Sequence, residues 1–155
     1  MSKKIAVIGL GNTLRRDDGI GVVILESLLN HYQRANIDYL NFGSASFDLL
    51  HRLQDYDIAL LIDGISAGTL AAGQLKIFIL DEASFSEEDG AISSHELNLK
   101  DIFKLAQKLQ IKTKIYVAGI QVEDVSFGLS LSSALSSKLA DLTKQVDKFI
   151  EERLF

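Results

Sequence analysis

Asp17 and Asp18 are adjacent carboxylates in a glycine-rich stretch, Gly9-Leu-Gly-Asn-Thr-Leu-Arg-Arg-Asp-Asp-Gly-Ile-Gly21, which follows directly on the apolar run Ile5–Leu10. A further carboxylate, Asp63, ends the run Ile58-Ala-Leu-Leu-Ile62 and precedes Gly64. A carboxylate at the end of such a run is half buried by position. If ionised, it must be paired, coordinated or heavily hydrogen-bonded. Loops at the carboxyl ends of parallel strands are where α/β proteins place their chemistry. The choice for this loop is between holding a phosphate and holding a metal.

A dinucleotide fingerprint needs Gly-x-Gly-x-x-Gly opening straight into a helix. Gly9 and Gly11 match, but the third position is Leu14, and Arg15 to Asp18 intervene before Gly19 and Gly21. Two aspartates would also repel a pyrophosphate, and no Walker lysine-serine/threonine pair is present. Two carboxylates from separate loops instead make a hard, partly open metal site, which a histidine would shift toward nickel, zinc, manganese or iron. His31 and His51 fall on predicted helices and read as exposed or packed helix residues. His95, in Ile-Ser-Ser-His-Glu-Leu, reads by itself as an ordinary helix-start histidine. The 14 residues from Asp81 to Ser94 span up to ~46 Å when extended, so reach permits His95 in the site without requiring it. Asp17 reads as structural, accepting backbone N–H groups beside a helix start. Asp18 taken alone suits that role and a ligand role equally.

The elements that must position these residues follow from hydrophobic periodicity. Ile5–Leu10, Ile58–Ile62 and Lys114–Ile120 are short continuous apolar runs, as expected of strands covered on both faces. Ile37–Phe42 and Gln74–Leu80 are weaker strands. Helical spacing covers Ile20–Gln33, Phe47–Leu53, a stripe from Leu99 to Leu109 and another from Leu135 to Phe149. Two helix starts compete before Leu99: Ser93 with Glu96, and Asn98 with Asp101. Ser130, Ser132 and Ser133 look like caps for the last helix. The order β-α-β-α-β-β-α-β-α predicts a three-layer α/β fold, with a mostly parallel five-stranded twisted sheet and helices on both faces. The segment from Asp63 to Gln74 is too short for a crossover helix, so the fourth strand is expected to be antiparallel, at an edge.

Composition narrows the class. A chain of 155 residues predicts one domain over 1–155. Its net charge of −5 disfavours nucleic acid or an anionic membrane as a partner. No apolar run approaches the ~20 residues of a spanning helix. The run at the N-terminus is too short for a signal peptide. The absence of cysteine removes disulfides, thiolate metal sites and cysteine nucleophiles, and points most simply to the cytoplasm. A monomer is expected, for want of an obvious sticky surface.

The Gly9–Gly21 loop, Asp63-Gly64, and Ser94-His95-Glu96-Leu97 together resemble the hydrogenase maturation proteases, which trim a C-terminal extension from the large subunit of nickel–iron hydrogenases. Length and element order match over essentially the whole chain. The loop is a long, constrained signature; the other two motifs persuade only in combination. The resemblance implies that Asp18, Asp63 and His95 are metal ligands and act catalytically through the metal. Gly11, Asn12, Gly43, Ser44 and Gly64 would contact substrate. It implies a large-subunit precursor as partner and nickel delivered with that substrate, other divalent ions being able to substitute. The family usually shows an Asp-Gly-Gly-Thr-like stretch after strand two. Here Asn41-Phe42-Gly43-Ser44 stands in its place, which alters the docking surface and leaves the three ligands untouched.

The implied mechanism is metal-assisted peptide hydrolysis, with the metal polarising the scissile carbonyl or acidifying a bound water. No His-Glu-x-x-His helix is present, and Glu96, Glu123 and Asp124 are general-base candidates by residue type only. Two other readings stand beside this one. One is a nucleotide-binding or flavodoxin-like module. The other is a docking or metal-chaperone protein that binds the precursor without cutting it.

Overall fold

The computed structural model describes residues 2–81 and 98–155. Among these, five strands form one sheet in the order β2-β1-β3-β5-β4. They are β1 (Ile5–Leu10), β2 (Ile37–Gly43), β3 (Ile58–Ile65), β4 (Leu75–Ile79) and β5 (Lys114–Gln121). Neighbours β2, β1, β3 and β5 pair in parallel, and β4 runs antiparallel to β5 at the sheet edge, as its short connection requires. The helices are α1 (Ile20–His31), α2 (Phe47–Leu53), α3 (Leu99–Lys108), α4 (Ser133–Ser136) and α5 (Leu139–Phe149), the last continued by a π-helical turn, Ile150–Leu154.

Alternate residues of each strand feed two cores. Ile5 and Val7, with Leu60 and Ile62, pack under α1 and α5. Ala6 and Ile8, with Ala59 and Leu61, pack under α2 and α3. Burial on both faces explains why the central strands read as unbroken apolar runs. The result is the expected three-layer arrangement. No helix among the described residues is long and apolar enough to cross a membrane.

Most element ends fall within a residue or two of the sequence expectation, and the departures that bear on the site have physical causes. β3 runs on to Ile65, because β5 continues to pair with it after β1 has stopped: Asp63 opposes Gly119 and Ile65 opposes Gln121, whereas pairing with β1 ends at Ile62. Asp63 therefore lies inside the strand instead of ending it. The stripe Leu135–Phe149 is two helices instead of one, broken at Ser137 and Lys138, where consecutive serines compete locally for backbone groups. The start of α3 is settled by a reciprocal capping box between Asn98 and Asp101; Ser93 and Glu96 lie outside the described residues.

Connectivity creates one crevice. The chain leaves β1 toward β2 on one side and later returns on the other side as β3. The strand order thus reverses between β1 and β3, and the carboxyl ends of these strands are where such folds bind ligands.

Candidate functional site

Asp18 is held in a tight turn after β1. A 3-10 turn, Arg16–Gly19, leads directly into α1. The Asn12 N–H donates to the Asp18 carboxylate at 2.9 Å, while the Asn12 side-chain oxygen accepts the Leu14 N–H at 2.9 Å. Asn12 therefore ties the loop together. Two glycines of the motif are required by close backbone approach. A Cβ on Gly11, whose φ is +134°, would lie 1.9 Å from the Asp18 carbonyl oxygen. A Cβ on Gly21 would lie 2.1 Å from the Ile62 carbonyl oxygen and 2.3 Å from that of Leu10. The first turn of α1 thus rests on the backbones of β1 and β3. Asp18 is 3% exposed.

Asp63 comes from the other side of the crevice and is 0% exposed, more deeply buried than its place at the end of an apolar run suggested. Strand alternation places it with Ala59, Leu61 and Ile65, on the face covered by α2 and α3. Gly64, next to it, faces the turn: a Cβ there would lie 3.3 Å from the Asp17 carbonyl oxygen. Two carboxylates from separate elements therefore sit buried at the same edge of the sheet. Among the described residues, no group of three or more His, Cys, Asp or Glu is placed to hold a metal ion. His95, the expected third ligand, lies outside the described residues. His31 ends α1 and His51 lies exposed on α2, as expected of ordinary helix residues.

The structure gives Asp17 a role that the sequence named only in kind. Its carboxylate, 0% exposed, accepts four hydrogen bonds from the loop after β5. These come from the N–H groups of Glu123 (2.9 Å), Asp124 (2.9 Å) and Ser132 (2.7 Å), and from the Ser132 hydroxyl (2.8 Å). The donors belong to a distant loop, not to the helix start beside Asp17. Burial alone would raise its pKa; the backbone N–H groups and the Ser132 hydroxyl outweigh that and hold the carboxyl below its ordinary range. Ser132 precedes α4, but its side chain makes no capping bond, because it is spent on Asp17.

The same loop is tied to the turn at further points. Arg15 and Gly128 form a parallel bridge, the Arg16 N–H donates to the Gly128 carbonyl, and the Arg15 guanidinium donates to the Val125 carbonyl. The seam exposes three large apolar side chains: Leu14 (58%), Phe127 (82%) and Leu129 (84%). The partnership of Asp17 with residues 123–132 escaped the sequence reading; its only trace was a serine- and glycine-containing stretch after a strand whose end reaches the same edge.

The remaining expected residues lie around this edge. The Gly11 N–H donates to the Gly43 carbonyl at 2.7 Å. Gly43, with φ +52°, ends β2 opposite Leu10, and its N–H donates to the Asn41 side chain at 2.9 Å. Ser44 follows, exposed. Glu123 is exposed. The Asp124 carboxylate is occupied by the Ser126 hydroxyl (2.6 Å) and N–H (2.9 Å), which hold its pKa down.

Comparison with known proteins bears on this arrangement. The family model for hydrogenase maturation proteases matches residues 22–148, a span that begins beyond the glycine-rich loop and so is independent of that motif. The hydrogenase 2 maturation protease of Escherichia coli strain K12 is 27% identical over 145 residues, covering 92% of this chain and 88% of that protein. The hydrogenase expression/formation protein HoxM of Azotobacter vinelandii is 28% identical over 152 residues, covering 96% and 73%. Among solved structures, the hydrogenase maturating endopeptidase HybD of E. coli superposes with a TM-score of 0.80 at 26% identity, covering 96% of this chain and 93% of that one. A fold, a buried pair of carboxylates at the strand switch point and a family match over most of the length converge: the chain belongs to the hydrogenase maturation protease family.

Proposed function

We propose that this endopeptidase removes the C-terminal extension from the large-subunit precursor of a nickel–iron hydrogenase after nickel insertion, with Asp18, Asp63 and His95 engaging the nickel carried by that substrate. The observation that carries the reading is the burial of Asp18 and Asp63, from two separate elements, at the crevice between β1 and β3. The donor set fits: two hard carboxylates with one imidazole suit a borderline divalent ion, and the substrate would complete the coordination. The described chain resumes at Asn98, the cap of α3. His95 is three residues away in sequence, at most ~11 Å of extended chain. Since α3 ends at Lys108, shortly before β5 begins at the amino edge, its start lies toward the carboxyl edge, where the carboxylates are.

The metal would supply Lewis-acid polarisation of the scissile carbonyl. The chain's own residues bind and orient. Asn12 fixes the Asp18 carboxylate, and Gly43, Ser44 and Gly64 would border the path of an extended peptide. Leu14, Phe127 and Leu129 offer apolar contact to a protein substrate at the same edge. The protein would work as a cytoplasmic monomer.

The test incubates the protein with nickel-loaded and nickel-free large-subunit precursor and reads the C-terminal mass of each. Loss of a C-terminal peptide from the nickel-loaded sample alone is the expected result. Binding without cleavage would overturn the protease reading in favour of a docking protein.

A further inference from the structure

We infer that Asp17 is the positioning residue for Asp18, acting through the loop after β5. The inference rests on the reading of Asp18 as a residue that engages the substrate's metal. Asp17 is fully buried, and its four carboxylate hydrogen bonds all come from residues 123–132. Its own N–H donates to the Asp124 carbonyl at 3.0 Å, so the loop grips this residue through both side chain and backbone. On its other side, the Asp18 N–H donates to the Arg15 carbonyl at 2.9 Å.

Between these anchors lies Arg16, with φ +43°, a left-handed conformation that a side-chain-bearing residue adopts only when its surroundings impose it. The imposing contacts are the Gly128 carbonyl on the Arg16 N–H and the clasp on Asp17. The backbone bonds to Gly128 and Asp124 hold the turn as well, but the Asp17 carboxylate takes four bonds from the loop on a single buried group, so its loss removes the largest share of the grip beside the strained residue. Relaxation at Arg16 would rotate the following peptides and displace the Asp18 carboxylate from the Asn12 N–H. A misplacement of about 1 Å at a reacting site can cost about 100-fold in rate. Asp17 touches no reacting atom; its effect passes through the backbone it fixes.

The test compares wild type with Asp17→Asn, Ser132→Ala and, as a control, Asp147→Asn, which breaks a bidentate pair with Arg34 on the far helix α5. Two experiments are run at a temperature where all are folded: amide hydrogen exchange at Asn12, and steady-state trimming of nickel-loaded precursor, which gives kcat and KM. Asp17→Asn is expected to speed exchange at Asn12 by about tenfold or more and to lower kcat by about tenfold or more. Ser132→Ala, which removes one donor of four, should shift both in the same direction by less. Asp147→Asn should lose thermal stability and leave both unchanged.

Wild-type exchange at Asn12 in folded Asp17→Asn, or a loss confined to KM, would overturn the inference. Should Asp17→Asn not fold, Ser132→Ala decides: wild-type exchange and kcat in that variant would overturn it. If wild type fails to trim the precursor, the functional reading falls by itself, and exchange at Asn12 still decides the positioning role.

Discussion

The two edges of the sheet treat their aspartates in opposite ways. At the amino edge, Asp57 is exposed and accepts the Lys4 N–H at 2.8 Å, joining the chain before β1 to the chain before β3. Nearby, the Thr113 hydroxyl donates to the Leu53 and Tyr56 carbonyls, and Arg52 pairs with Asp55 at the surface. At the carboxyl edge, Asp17, Asp18 and Asp63 are all buried. Burying a carboxylate opposes folding unless partners compensate, as four donors do for Asp17. The contrast teaches that one edge leaves its carboxylates in water, while the other gathers them in the interior, where each depends on the groups built around it.

The sharpest way to break this contrast is to neutralise one acid at each edge. Asp18→Asn or Asp63→Asn should reduce trimming of nickel-loaded precursor by at least about 10³-fold with the fold retained by circular dichroism. Asp57→Asn should leave the trimming rate unchanged. Equal rates for Asp18→Asn and Asp57→Asn would remove the distinction between the edges.

Stability offers a second comparison, within the carboxyl edge. Asp17→Asn turns an amide NH₂ toward donors that need an acceptor. Leaving buried donors unsatisfied beside a lost charge costs about 2–3 kcal/mol, which for a chain of this size lowers Tm by about 5–10 °C. Calorimetry on the metal-free protein measures it. A drop below about 2 °C would mean that the loop after β5 is held by its other contacts.

How far this edge was legible from the sequence depends on the range of the interactions. Strand identities were readable because burial on both faces leaves an unbroken apolar run, as in Ile5–Leu10. The antiparallel β4 was readable because chain length forbids a crossover. Asp18 and Asp63 could be placed at one edge because parallel neighbours share their ends. What was not legible depended on pairing between distant segments. The extension of β3 through Asp63 comes from its partner β5, and nothing in residues 63–65 announces it. Ser132 looks like a cap because cap and loop anchor use the same residue type; only its position beside Asp17 separates the two roles. The break in the last helix is similar, since an apolar stripe keeps its period across Ser137 while the backbone does not.

A smaller effect is expected from the apolar rim. Phe127 and Leu129 contribute little to the core at their exposure, so Phe127→Ser with Leu129→Ser should shift Tm by no more than about 2 °C. If a protein substrate covers them, KM should rise about tenfold or more, because fully burying one such side chain is worth about 1.5–3 kcal/mol. Kinetics on folded precursor, set beside a short peptide spanning the cleavage site, separate docking from chemistry: the peptide should be far less sensitive to the double substitution. Unchanged KM on precursor would restrict the working surface to the crevice itself.

The smallest predicted effect concerns acid. Asp17 has a lower pKa folded than unfolded, so between those two values the unfolded chain binds more protons. Its contribution is therefore fully present above the unfolded value of about 3.9 and is lost as pH falls toward the folded value. Urea unfolding of the metal-free protein at successive pH values below about 4 should show stability falling more steeply for wild type than for Asp17→Asn, which has no proton to take up there. Asp124 also has a depressed pKa, but its exposed side chain is screened and adds little to the slope. The two curves should run parallel above about pH 5 and converge in acid. Parallel curves throughout would mean that the four donors around Asp17 do no more than replace the water it lost, and the loop would then owe its place to the Arg15–Gly128 bridge instead.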